Sequence, residues 1–127
     1  MKVKLQTVLD TQQALSQLSR ISFPATVAYR LNKNLRLAQQ EFSHFDEARI
    51  KILKELGTLN EAGTDYELST ENRKLFDDQI KALLDTEIDI AFMVVPIEML
   101  GDAKIPPAAI GALEDIVITV GQDAPGI

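Results

Sequence analysis

Residues 24–56 read PATVAYRLNKNLRLAQQEFSHFDEARIKILKEL. Within them Ala28, Leu31, Leu35, Ala38, Phe42, Phe45, Arg49, Ile52 and Leu56 follow one another in alternating steps of three and four. A 3.6-residue turn puts all of them on one stripe of a helix, the seam pattern of helix-on-helix packing. All are apolar except Arg49. Pro24 suits the first helical turn, with Ser22 or Phe23 near the cap, and Gly57 is a natural stop. A helix from Pro24 to Leu56 spans about 50 Å at about 1.5 Å per residue, longer than a small domain is wide. The fold is therefore decided by what packs along it.

Working outward, residues 2–8 (KVKLQTV) alternate, with Val3, Leu5 and Thr7 on one side, and read as a short half-buried strand. Asp10 or Thr11 offers an N-cap for a helix over Gln12–Arg20, whose stripe is Ala14, Leu15 and Leu18. Beyond the long helix, Asn60, Gly63 and Asp65 mark a reversal, with Leu59, Tyr66 and Leu68 as anchors. Ser69 or Thr70 then caps a helix to about Asp85 bearing Phe76, Ile80, Leu83 and Leu84. Residues 87–95 alternate again, with Ile88, Ile90, Phe92 and Val94 on one face, and end at Pro96 as a strand. Pro106-Pro107 opens a short helix through about Asp115, presenting Ile110 and Leu113, and Ile116–Val120 reads as a last strand. The expectation is one α+β, mainly α domain over residues 1–120. Its long central helix is flanked antiparallel by shorter helices, and a small sheet forms from strands near 2–8 and 87–95. Residues 121–127 form a loose tail.

Reversal between Leu56 and Thr70 brings Asp77 and Asp78 beside Arg49. An Arg inside an apolar seam is costly unless a carboxylate meets it, so an Arg49–Asp77 or Arg49–Asp78 ion pair is expected. Asp46, three residues earlier on the same helix, is the local competitor. Reversal near residue 22 sets Leu15 and Leu18 against Val27, Ala28 and Leu31. The stretch from Ala28 through Leu31 and Leu35 to Ala38 is then the less securely covered part of the seam and the first place to expect a partner. Arg30, Lys33 and Arg36, flanked by Tyr29 and Asn34, add a basic cluster there.

The chain has 127 residues, 46% of them hydrophobic and 25% charged, the balance of an ordinary globular protein. It has no Cys and no Trp, so thiolate chemistry is excluded and aliphatic residues carry the core. Its start, MKVKLQTVLD, lacks the apolar stretch of a signal peptide, and no run approaches bilayer length. The expected location is the cytoplasm. Residues 1–56 carry nine Lys/Arg against five Asp/Glu, whereas residues 57–127 carry four against fourteen. The acidic half repels nucleic acid and membrane phosphates. Three cations give only a weak, salt-dependent phosphate contact, so nucleic acid is an unfavoured partner.

No catalytic residues are expected. His44, the single histidine, lies off the seam with no nucleophile motif near it. Asp77 and Asp78 point in different directions on a helix. Asp85, Glu87 and Asp89 share a strand face with the oxygen chemistry of a Mg²⁺ or Mn²⁺ site, but read better as a charged solvent face that discourages edge pairing. Gly57, Gly63, Gly101 and Gly111 have no phosphate-loop spacing. No metal or cofactor is expected.

The opening KVKL strand, the long charged helix, YELSTENRKLFDDQIKALLDTEIDI (residues 66–90) and VPIEMLGDAKIPPAAIGALEDIVI (residues 95–118) together give a layout. It resembles a family of small tailed-phage and prophage proteins of unknown function. The resemblance implies a viral origin and carries over no functional residue. The expectation is a non-enzymatic phage protein that binds another protein, such as a host defence component, in the host cytoplasm. The alternatives are a virion assembly factor or small structural component, self-association into an oligomer, and a nucleic-acid-linked regulator or acidic DNA mimic.

Overall fold

The computed structural model describes residues 1–101 and 103–119. It is α+β and mainly helical. In chain order the elements are β1 (Lys2–Lys4), α1 (Leu5–Leu18), α2 (Ala25–Leu56), β2 (Thr58–Leu59), β3 (Tyr66–Glu67), α3 (Thr70–Leu84), β4 (Glu87–Asp89) and β5 (Val95–Pro96). A 3-10 turn at Ile97–Leu100, α4 (Pro107–Leu113) and β6 (Ile118–Thr119) follow. The tail expected over residues 121–127 lies outside the described residues.

The seam helix forms as its spacing requires, and α1 packs along its first half. Here the structure corrects the reading of residues 2–8. Only Lys2–Lys4 is strand, and the helix begins at Leu5, so Asp10 and Thr11 lie inside it rather than capping it. Alternation and helical spacing compete over this stretch, and packing decides. Leu5, Val8, Thr11, Ala14, Leu15 and Leu18 repeat at helical intervals and all are buried. The helix thus buries more apolar surface than a strand exposing every second residue. The hydroxyl of Thr11 stays satisfied by donating to the Thr7 carbonyl at 2.8 Å, the back-bond open to a mid-helix threonine.

Three short strand pairs tie distant segments together. β1 and β4 run antiparallel, pairing Lys2 with Asp89, Val3 with Ile88 and Lys4 with Glu87. β2 and β3 form a hairpin between α2 and α3, closed by an Asn60–Asp65 turn in which Gly63 takes φ of 70°. β5 and β6 pair in parallel. The strand expected over 87–95 is therefore two short strands, β4 and β5, with a linker at 90–94 between them.

That linker joins two buried clusters. Ile90 lies with Val8 and Ala38, against Val3, Leu37 and Ile88. Val95 lies with Leu15, Leu18, Val27, Leu31, Leu113, Val117 and Ile118 in the main core. A chain crossing α2 between two apolar clusters has backbone groups to satisfy. Asn34, fully buried on the inward face of α2, satisfies them. Its amide donates to the Met93 carbonyl at 2.7 Å, and its carbonyl oxygen accepts from the Met93 N–H at 2.6 Å. One side chain thus pairs with both backbone groups of one residue, much as a neighbouring strand would.

Buried residues stop at Ala38 and resume at Ile90. Between them lie the second half of α2, the β2–β3 hairpin, α3, which carries no buried residue at all, and β4, which pairs back onto β1. This α2–α3 arm is nevertheless ordered by local bonds. Ser69 Oγ accepts from the Asn72 N–H at 3.2 Å as the α3 N-cap, and the Asn72 side chain donates to the Leu56 carbonyl at 2.8 Å.

Asn34→Ala should lower unfolding free energy by about 2–3 kcal/mol, because it leaves the Met93 donor and acceptor unpaired at a buried position. Urea denaturation followed by circular dichroism checks this. Asn34→Leu, of similar size but without polar groups, should cost at least as much, which separates lost hydrogen bonds from lost volume.

Candidate interaction surface

The seam residues singled out for a partner are not free to meet one. Leu31 is 4% exposed and Ala38 is fully buried. Leu35 is partly buried against the main core, and Ala28 is half-buried. The expectation failed because the N-terminal half of the seam is covered twice. α1 covers it as foreseen, and so does the C-terminal segment that supplies Val95, Leu113, Val117 and Ile118. Those residues lie some 60 to 90 positions away, beyond the reach of a neighbour-by-neighbour reading.

The basic cluster also divides. The Arg30 guanidinium turns inward, donating to the Val94 carbonyl at 3.2 Å and reaching the Met99 sulfur at 3.9 Å. It is a tether for the 90–94 linker rather than part of a binding patch. Lys33 and Arg36 stay on the outer face of α2, where the Lys33 ammonium stands 5.8 Å from the centre of the Tyr29 ring. That is within cation–π range. Tyr29, Asn32, Lys33, Arg36, Leu37 and Gln40 line a shallow hollow. All six lie on one helix, so among the described residues its lining does not enclose a small molecule as a cofactor site would.

Arg49 does not meet Asp77 or Asp78. Its Nη2 and Nε both donate to the single oxygen Asp46 Oδ1, at 2.9 Å and 3.1 Å. Asp77 and Asp78 are exposed. The correction has a simple cause: the i, i+3 partner on the same helix is always within one turn. Because the arm buries nothing fully, Arg49 keeps contact with water and has no need of a second carboxylate.

The acids of β4 are answered across the sheet. Lys2 faces Asp89, Lys4 faces Glu87, and Lys4 Nζ lies 3.8 Å from Asp85. Opposite charges on facing strands favour this register, so these carboxylates direct pairing with β1 rather than repel an edge. Among the described residues, no group of three or more His, Cys, Asp or Glu side chains is arranged to hold a metal ion.

What the seam reading missed is exposure further along. Phe42 is 44% exposed, Leu75 49% and Leu59 50%, all three in the arm. Phe42 was counted on the seam, and its periodicity is correct. The helix that should cover it, α3, ends at Leu84 and leaves Phe42 in part exposed.

Comparison of the chain with protein-family models, with curated proteins and with solved structures finds no match. Among the described residues no helix is long and apolar enough to cross a membrane.

A double-mutant cycle on Arg49→Ala with Asp46→Ala should return a coupling of about 0.3–0.5 kcal/mol, the range of same-helix ion pairs at a partly exposed site. Cycles of Arg49→Ala with Asp77→Ala or Asp78→Ala should return none. Thermal or urea unfolding of the single and double variants measures this directly.

Proposed function

We propose that this is a non-enzymatic, phage-encoded protein that works in the host cytoplasm by binding a host protein. The viral origin rests on the resemblance in layout of the opening KVKL strand, the long charged helix and residues 66–90 and 95–118 to small tailed-phage and prophage proteins. The binding mode rests on one observation. Between Ala38 and Ile90 the chain builds a two-helix arm with no buried residue and leaves Phe42, Leu59 and Leu75 about half exposed. Large apolar side chains left outward on α2, β2 and α3 of an arm outside the core are what such an arm offers a partner. The arm also holds its shape through its own caps and hairpin, so a partner would meet a preformed surface at little ordering cost.

A host protein is favoured over a virion component as the partner, with a defence protein as the leading class. The test is affinity capture from host and infected-cell lysates with the wild-type chain and with a Phe42→Ser, Leu75→Ser variant. The reading expects one host protein retained by the wild type and reduced at least tenfold by the variant, whose helicity should be unchanged. Retention of capsid or tail proteins instead would move the assignment to virion assembly. Equal retention by both proteins would remove the arm from the contact.

A further inference from the structure

The outer face of α2 carries a second ladder, opposite the buried one. Tyr29, Lys33, Arg36, Gln40, Ser43, Glu47, Lys51 and Lys54 step along it in threes and fours, and all are exposed. Four are cations and one is an anion, in a chain whose net charge is −6. The span from Lys33 to Lys54 is about 32 Å at about 1.5 Å of rise per residue. None of these side chains makes an ion pair among the described residues.

We propose that this face docks an acidic, extended segment of a protein partner, lying along α2 for most of its length. Three observations carry the proposal. The exposed ladder runs along one helix with a pair of cations towards each end, Lys33 and Arg36, then Lys51 and Lys54, and Gln40, Ser43 and Glu47 between them, which suits an extended segment better than a compact ligand. Its charge is opposite to that of the rest of the molecule, so an acidic segment is drawn to this strip and turned away elsewhere. Its N-terminal end holds Tyr29, 59% exposed, with Lys33 over its ring and Arg36 and the half-buried Leu37 beside it. Tyr and Arg are the residue types that most often anchor protein interfaces.

An acidic protein segment is favoured over nucleic acid by the same charge distribution. Residues 57–127 carry fourteen acids against four bases. A polyphosphate extends its charge past the strip in both directions and meets that repulsion, whereas a bounded acidic segment does not. Four cations also supply little of the counterion release that drives nucleic-acid binding. The inference rests on the protein-binding reading above but concerns a different face, so the two can fail separately.

The probe is a polyglutamate peptide of about 20 residues, titrated into isotopically labelled protein and followed by NMR and fluorescence anisotropy. Saturable binding is expected at low salt, weakened at least tenfold between 50 and 500 mM salt as screening sets in. Shifts should concentrate at Tyr29, Lys33, Arg36, Lys51 and Lys54. Lys33→Glu with Arg36→Glu should weaken binding at least tenfold. A Lys74→Glu, Lys104→Glu control, off this face, should change it less than twofold. Circular dichroism of each variant should match the wild type, because every substituted side chain is exposed. Three results would each overturn the proposal: no saturable binding at 1 mM peptide, equal loss in the control, or tighter binding of a 20-base-pair DNA duplex than of the peptide. Phe42→Ser with Leu75→Ser should leave peptide binding intact, which keeps this result separate from that for the arm.

Discussion

Two hydrogen bonds between the Asn34 side chain and the Met93 backbone hold the rest of the structure in place. They form where the chain, leaving β4, must cross α2 to enter the main core. On one side of that crossing Ile90 packs with Val8 and Ala38; on the other Val95 packs with Leu15, Leu31 and Ile118. A linker between two apolar clusters cannot leave its amide and carbonyl unpaired without a cost near that of a lost hydrogen bond each. Asn34 meets both demands from within the helix, and Arg30, one turn earlier, takes the Val94 carbonyl. The C-terminal segment can then reach α1 and supply Leu113, Val117 and Ile118, without which the first half of the seam would stand open.

The same arrangement divides the chain energetically. Residues up to Ala38 and from Ile90 onward share buried clusters, while the arm between them has none. Its stability comes from half-buried apolar side chains such as Leu53, Leu56 and Phe76, from the Ser69 cap and from the β2–β3 hairpin. An element held this way opens at lower free energy than the core. That is compatible with a contact surface, because the side chains that would strengthen the arm, Phe42, Leu59 and Leu75, are the ones left outward.

Much of this fold was legible in sequence. The seam fixed α2 to within a residue at each end, and the Ser69 or Thr70 cap announced α3. The helix–helix contact of Leu15 and Leu18 with the N-terminal part of α2 followed from the short reversal between them. Three things were not legible, each for a physical reason. Leu5 fits both the two-residue period of Val3 and Thr7 and the helical period of Val8 and Thr11, and only the packing, in which Val8 lies with Ala38, decides between them. Asn34 is a polar residue between Lys33 and Leu35, and nothing local says that its amide will be buried against a backbone 59 residues away. The cover over Leu31 and Ala38 comes from elements on the far side of the arm. The candidate surface followed the same logic. The basic residues were visible, but Arg30 could be told from Lys33 and Arg36 only once the position of Val94 was known.

Native-state hydrogen exchange, read residue by residue, tests this division most directly. The account predicts that the amides of Leu15, Leu18, Leu31 and Ala38 exchange slowest, with the Met93 amide among them despite lying outside any helix or strand. Amides of α3 between Phe76 and Leu83 should exchange at least tenfold faster. If α3 were as protected as the Leu31–Ala38 turns, or if the Met93 amide exchanged at the rate of an open loop, the account of a body clasped by Asn34 and a separately held arm would be contradicted.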